Sequence, residues 1–332
     1  VSSLQVGISG CDATTLRTLA AVAAHADCAI AALHDDDAAA LASAQAIAGS
    51  SVATTDFQRF LQSGVDFVVL GGPLTQRAER LHAANEQAVP CLLRAPMATN
   101  LAAAQALAAD SEAHGQRLAV AVPGHDDPLF EQIRRMVAED WLGGLVAVQA
   151  IAGDDALLRP PHQQRLHPAY ERLAPLLHQL TWLCGREVVS VTAQGVATYG
   201  ADVDHIAATA QLRGGALLTL HGSHTTRANA IEIHGTDGGV RLAGDRIWLC
   251  GKRPFRGRVF AYEHAGDELV LARTELQPAI DAAAPRLEPF GRFARWLDDR
   301  DDFPCPAEQA LVDLQVVDAI VRALHSGACE RV

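Results

Sequence analysis

Leu4-Gln5-Val6-Gly7-Ile8-Ser9-Gly10-Cys11-Asp12 is a short apolar strand running straight into a glycine turn, and its reading decides the fold of the first domain. Outward from it, residues 1–122 alternate short β-type runs with alanine-rich helical segments. Strands are expected at Leu4–Ser9, Ala29–Leu33, Ser51–Ala53, Phe67–Leu70, Cys91–Leu93 and Leu118–Val122. Helices are expected near Thr14–Ala24, Asp37–Ala48, Asp56–Gln62, Gln76–Ala88 and Asn100–Glu112. Strands apolar on both faces and separated by helices imply a parallel sheet covered on both sides. Asp56 and Asn100 stand where N-caps belong. The first domain is therefore α/β and doubly wound, with ligands expected at the carboxyl ends of its strands.

From about Trp141 the rhythm changes. Runs at Leu145–Ile151, Val188–Thr198, His205–Leu212, Ala216–Ser223, Ala230–Gly235, Val240–Leu242, Arg246–Leu249 and Val259–His264 are β-rich. Gly214-Gly215, Gly238-Gly239 and Gly266-Asp267 punctuate them and read as hairpin turns. A helical segment at Tyr170–Cys184 comes early, and two more, Pro289–Asp299 and Ala307–His325, come last. Residues 123–332 thus read as an α+β domain, a large mostly antiparallel sheet with helices on one face. The uncovered face suits pairing with a second copy, so a homo-oligomer (dimer or tetramer through this sheet) is expected.

Composition narrows the function classes. A chain of 332 residues suits two domains, and 49% hydrophobic with 20% charged residues is ordinary for a globular protein. A net charge of −12 speaks against nucleic acid and anionic membrane surfaces as partners. No apolar run approaches the length that spans a bilayer, and Val1–Gln5 lacks the basic start of a signal peptide. The 7 cysteines are dispersed without a C-x-x-C pair, which reads as reduced thiols and a cytoplasmic location. No H-E-x-x-H or Cys/His cluster is present, and His221 and His224 fall on opposite faces of a strand, so no metal is expected. A G-x-S-x-G elbow is also absent.

Several stretches together resemble the glucose-fructose oxidoreductase/inositol dehydrogenase (Gfo/Idh/MocA) family. Residues 4–11 resemble its first strand and glycine turn, and Val65–Pro73 its fourth strand. Val89–Thr99 sits where the family carries an E-K-P signature. Glu232–Gly238 resembles its G-T-x-G hairpin, and Asp313–Gly327 its closing helix. The resemblance implies a Rossmann-type first domain, NAD or NADP as cofactor, and dehydrogenation of a sugar, polyol or similar small molecule. It also implies cofactor contacts at Gly7, Gly10, Cys11, Asp12, Ala13, His34, Asp35, Gly71, Gly72, Pro73, Arg94 and Pro96, and substrate contacts at Arg94, Arg77 and Glu171.

The chemical positions depart from that pattern. Lys252 is the chain's single lysine, and the signature lysine's slot is Ala95, preceded by Arg94. An arginine stays protonated and cannot supply a proton in its place. The family's D-x-G-x-H-x-x-D helix falls on Glu171–His178, with Pro175 at the histidine and His178 at the last aspartate. His125 stands where an arginine is common, and Arg77 where a histidine is. In the glycine turn the second glycine is Asp12, whose carboxylate would meet the diphosphate as a like charge. Asp12 also suits an N-cap for the following helix, so it can occupy the anion site internally. Cys11 at that helix start is a packing residue or a stabilised thiolate. In His34-Asp35-Asp36-Asp37 an acid can meet the ribose, or cap the next helix.

Two readings stay open. In one, an oxidoreductase-type enzyme uses His125, His167, Tyr170 or His178 as proton donor, with Arg94, Arg77, His162, Arg165 and Glu171 holding the substrate. His162 and His167 then belong to a functional loop with Arg159 and Arg165, in place of a plain surface crossover. In the other, the chain is a non-catalytic binding or scaffold paralogue, a partner subunit of an active relative, with cofactor binding weakened or lost. His178 is then a core histidine satisfied within the fold.

Overall fold

Four-residue strand β4 (Phe67–Leu70) is buried at every position, which only a central strand covered on both faces can be. It lies in a six-stranded sheet with β1 (Leu4–Ser9), β2 (Cys28–His34), β3 (Val52–Thr54), β5 (Cys91–Arg94) and β6 (Leu118–Ala121). The order is β3-β2-β1-β4-β5-β6, and every pair is parallel. The computed structural model describes residues 4–12, 28–49, 52–154, 166–264, 266–283 and 289–332. The helix expected at Thr14–Ala24 lies outside the described residues.

The described crossover helices begin where capping chemistry puts them. Asp37 caps α1 (Ala38–Ala48) by accepting from the Ala39 N–H, and Asp56 caps α2 (Phe57–Leu61) through the Gln58 and Arg59 N–H groups. Asn100 caps α4 (Leu101–Ala113) by accepting from Ala103. Between them a 3₁₀ turn at Leu74–Gln76 leads into α3 (Arg77–Glu86). The strand order reverses between β1 and β4, so their carboxyl ends form the topological switch point where a doubly wound sheet takes its ligand.

The second sheet has nine strands. They are β7 (Leu145–Gly153), β8 (Val188–Val196), β9 (His205–Leu212), β10 (Leu217–Ser223), β11 (Asn229–Gly235), β12 (Gly238–Ala243), β13 (Arg246–Gly251), β16 (Leu269–Ala272) and β17 (Glu330–Arg331). The order is β16-β13-β12-β11-β7-β10-β9-β8-β17, and only β7 and β10 run parallel. Alternate residues of β9 and β10 are buried, and those between them are not, so one face is covered and the other is open within a single chain.

Several local expectations are corrected. Gly238-Gly239 is not the turn but the start of β12; a Cβ on Gly238 would sit 2.5 Å from the Cys250 carbonyl, so the glycine serves close strand approach. The expected strand at Val259–His264 shrinks to β15 (Ala261–Tyr262), paired with β14 (Phe255–Arg256). The Gln132 side chain takes the place of a neighbouring strand there. Its Oε1 accepts from Val259 N–H at 2.7 Å, and its Nε2 donates to the Phe260 carbonyl at 3.0 Å. Gln132 lies on α5 (Pro128–Ala138), a helix with Asp127 as its cap that was not among the expected elements. A helix at Arg273–Ala283 (α7) was likewise not expected.

The Tyr170–Cys184 segment is a π-helical turn, Ala169–Leu173, continuing into α6 (Ala174–Cys184), which ends at left-handed Gly185. The last helices are α8 (Pro289–Leu297) and α9 (Ala307–Ser326). By packing, the chain forms one unit from 1–122 with 285–311 and another from 123–284 with 312–332. By this packing α8 groups with the first sheet.

Candidate functional site

In the first unit, two charged side chains meet at the switch point. Gly10 has φ 91°, and a Cβ there would lie 2.3 Å from the Gly72 nitrogen, so the turns after β1 and β4 touch backbone to backbone. Arg94, at the end of β5, crosses the end of β4 to reach Asp12. It can do so because Gly71 has no side chain: a Cβ there would meet Arg94 Cδ and Nη1 at 3.1 Å. Arg94 Nη1 then lies 3.0 Å from both carboxylate oxygens of Asp12.

The turn's amides are also engaged. Gly10 N–H donates to the His34 carbonyl at 2.9 Å, and Cys11 N–H donates to the Asp35 carboxylate at 2.6 Å. Burial, together with Asp35 and Asp12, pushes the Cys11 thiol up to about 12, so it stays a protonated packing residue. His34, expected near a ribose, is instead a core residue. Its ring packs on Phe57 and Phe60, its Nδ1 is 3.0 Å from Ser9 Oγ, and burial followed by the Arg80 charge lowers its pKa. Asp36 binds Arg80 at 2.7 Å. Burial alone would raise the Asp36 pKa, but hydrogen bonds from Gln76 and Arg80 outweigh it and the net shift is downward.

Two further residues have structural positions in place of the contacts expected of them. Gly7 packs against α2 and the loop after it; a Cβ would fall 2.8 Å from Phe60 Cζ and 2.9 Å from Val65 Cγ1. Arg77 is buried, and its guanidinium donates to the carbonyls of Pro96 and Met97, pinning the loop after β5. Burial, with Arg94 nearby, lowers Arg77 to about 9, which leaves it cationic at neutral pH. Pro73 starts the 3₁₀ turn, and Ala95 places a methyl group where the family carries its lysine. Ala13 lies outside the described residues.

These residues are poorly matched to the diphosphate of a dinucleotide. A carboxylate and its arginine stand at the switch point, and the Cys11 amide already donates to an acid.

In the second unit, the expected proton donors fall into two groups. His125 is buried between Trp182 and His178, with ring centroids 4.6 and 4.9 Å away. His178 Nδ1 hydrogen-bonds Asp313 on α9, and Thr181 Oγ1 donates to the other Asp313 oxygen at 3.1 Å. His178 is thus held in the core by a carboxylate.

The other group lies on the turn before α6. His167 Nδ1 accepts from Ala169 N–H at 3.3 Å, and burial, then the nearby His325 and His224, lower its pKa. Tyr170 donates to Asp318 at 3.4 Å. Glu171, expected to face substrate, instead ion-pairs with Arg172, which also binds Asp154 at 2.6 Å; its Oε2 lies 3.4 Å from His224 Nε2. His162, Arg165 and Arg159 lie outside the described residues.

Asp313 was missed in the sequence, though it carries a signal. It is the one acid on the apolar stripe Ala310, Leu314, Val317 and Ile320 of a helix, and such an acid needs a buried partner.

Comparison with known proteins agrees with this frame. Residues 130–241 match the family model described as the GFO/IDH/MocA C-terminal domain. Myo-inositol dehydrogenase Hyg17 of Streptomyces leeuwenhoekii is 31% identical over 158 residues, 46% of this chain and 47% of that relative, so the likeness spans about half its length. An oxidoreductase from Agrobacterium radiobacter, solved in complex with NAD+, L-tartaric acid and magnesium, superposes with TM-score 0.81 at 16% identity, covering 99% of this chain and 98% of that one. The WlbA dehydrogenase of Bordetella pertussis, solved with NADH and UDP-GlcNAcA, gives TM-score 0.77 at 19% identity over 100% and 98%. Residues 130–241 thus resemble the C-terminal domain of Gfo/Idh/MocA proteins, and the two sheets together give the chain the fold of these solved oxidoreductases. Among the described residues no helix is long and apolar enough to cross a membrane.

Proposed function

We propose that this chain keeps the family's frame for a sugar- or polyol-like ligand but has given up its standard hydride transfer, and that it holds nicotinamide dinucleotides weakly. Its role is then binding or scaffolding, as a partner of an active relative. The Asp12–Arg94 ion pair at the switch point carries this reading. It puts negative charge where a diphosphate would sit, and it engages the arginine that could have neutralised one. Ala95 and Pro175 support it, since neither can transfer a proton. The ligand class rests on the likeness to myo-inositol dehydrogenase Hyg17. The open face of the nine-stranded sheet, with Val146 and Leu217 exposed, supports a homo-oligomer formed through it. The mostly buried thiols support a cytoplasmic setting.

A second reading is favoured by the turn before α6. There His167 and Tyr170 lie close together, with ring centroids 6.5 Å apart, and would supply a rebuilt proton donor for an active dehydrogenase.

Calorimetry with NADH and NADPH, together with an assay of NAD+ and NADP+ reduction over sugars, sugar acids and polyols, separates the two. The first reading expects neither micromolar binding nor turnover. Micromolar binding with cofactor reduction overturns it in favour of the second.

A further inference from the structure

Away from the switch point, α3 and α4 pack side by side and bring together three residues that no part of the functional reading uses. Asp110, in the last turn of α4, and His114, its C-cap, are separated by four positions and share a face. His82 of α3 meets them from across the helix pair. The ligand atoms of His82, Asp110 and His114 all lie within 4.8 Å of one another. We propose that these three side chains form a surface site for a divalent transition-metal ion of the zinc class, with water completing the shell.

The distances suit such an ion. Two ligands of a tetrahedral zinc, each bound at about 2.0–2.1 Å, stand about 3.3 Å apart. Asp110 Oδ1 is 2.8 Å from His82 Nδ1 and 3.7 Å from His114 Nδ1, and the two histidines' ligand atoms lie within 4.8 Å, so rotations of the two exposed imidazoles admit the ion.

The groups behind these atoms are also arranged for ligation. The second oxygen of Asp110 accepts from Asn85 Nδ2 at 2.7 Å, and buried Asn85 is itself held by Ser111 at 3.1 Å, so the carboxylate is oriented from behind. On the far side of the His82 ring, Glu86 lies 3.7 Å from Nε2, where an acid keeps the proton on Nε2 and leaves Nδ1 to ligate. His114 Nδ1 sits 2.8 Å from the Asp110 carbonyl and exchanges that contact for the ion. Two imidazoles and one carboxylate are a donor set for zinc, nickel or copper, and a poor one for magnesium or calcium.

Residue spacing alone points to no metal here, and none was expected. His82 precedes Asp110 by 28 positions, with β5 between their helices, so the cluster has no local motif.

The test uses full-length, tag-free protein carrying Cys250→Ser and Cys329→Ser, which removes the two exposed thiols that would bind metal independently. Zn²⁺ titration by calorimetry should show one equivalent bound in the micromolar range, unaffected by millimolar Mg²⁺. Co²⁺ should give the intense visible absorption of a four-coordinate site. His82→Asn and His114→Asn should each weaken Zn²⁺ binding at least about tenfold, and Asn85→Ala should weaken it less. Circular dichroism should show the variants folded, because both histidines are surface residues. Absence of Zn²⁺ binding in the parent protein, or equal binding in the folded His82→Asn/His114→Asn double variant, overturns the proposal.

Discussion

Replacing Asp12 with asparagine keeps the side chain's shape and removes its charge. Asp12 is 57% exposed and Arg94 23%, so their ion pair is screened and its loss should cost under about 1 kcal/mol of stability. The effect on a dinucleotide is larger. For the size of the effect, the two diphosphate charges are taken at about 5 and 7 Å from the Asp12 carboxylate, the range of charges that face each other within one site. Each repulsion follows 332/(εr), and together they give about 1.4 kcal/mol at the dielectric of water and several times more at an effective ε near 20. A half-exposed site lies between these limits. Asp12→Asn should therefore tighten NADH binding at least about tenfold, since about 1.4 kcal/mol is one decade. It also releases Arg94 toward the phosphates. Arg94→Ala should move the other way, because it removes the positive charge beside the acid. Fluorescence titration of NADH at low and at raised salt measures all three proteins, and the gain should shrink as salt screens the charge. Wild-type binding as tight as that of Asp12→Asn at both salt levels would refute the reasoning.

The buried His178–Asp313 pair, each side chain 4% exposed, predicts a loss of about 3–5 kcal/mol in Asp313→Ala by urea unfolding, and a loss under about 1 kcal/mol would mean the pair is not formed. His34 and His167 both have pKa values below the ordinary 6.5 in the folded chain. Below pH 6.5 the unfolded chain therefore takes up more protons, so their stabilising contribution is full above that pH and falls on acidification. The slope from His34 is at most about 1.4 kcal/mol per pH unit, and His34→Gln should flatten it in a pH series of unfolding curves. Gly10→Ala meets both φ 91° and backbone at 2.3 Å, whereas Gly49→Ala meets φ 78° with nothing within 4 Å. Gly49→Ala should cost about 1 kcal/mol and Gly10→Ala clearly more, and equal melting temperatures would contradict the close approach of the two turns.

The parallel sheet could be read in the sequence because each strand is a continuous apolar run between polar caps. Phe67–Leu70 is buried at every residue, and Asp56 and Asn100 cap helices as their chemistry requires. The α5 helix also had its signals, Asp127 and Pro128 at its start and Leu129, Ile133 and Met136 on one face, but it fell in the gap between two rhythms. In α7, Pro278 inside the helix masks the periodicity. What the sequence could not show was pairing over long separations. Val259–His264 alternates like a strand, yet a glutamine on α5 takes its hydrogen bonds. His178 could be read as a candidate donor, but its partner Asp313 is 135 positions away.

The same holds at the switch point, where the unusual residues make sense only together. Asp12 alone is a misplaced acid in a glycine turn, and Arg94 alone is a cation beside a missing lysine. They are 82 positions apart and come from strands that are not neighbours, with the end of β4 between them. Arg94 reaches Asp12 because Gly71 lets its side chain lie across that strand end. Removing either charge leaves the other exposed at the mouth of the sheet. A side chain at position 71 would press on Arg94 Cδ and Nη1 at 3.1 Å and push the guanidinium off this path. The arrangement therefore depends on charge at two positions and on empty space at a third.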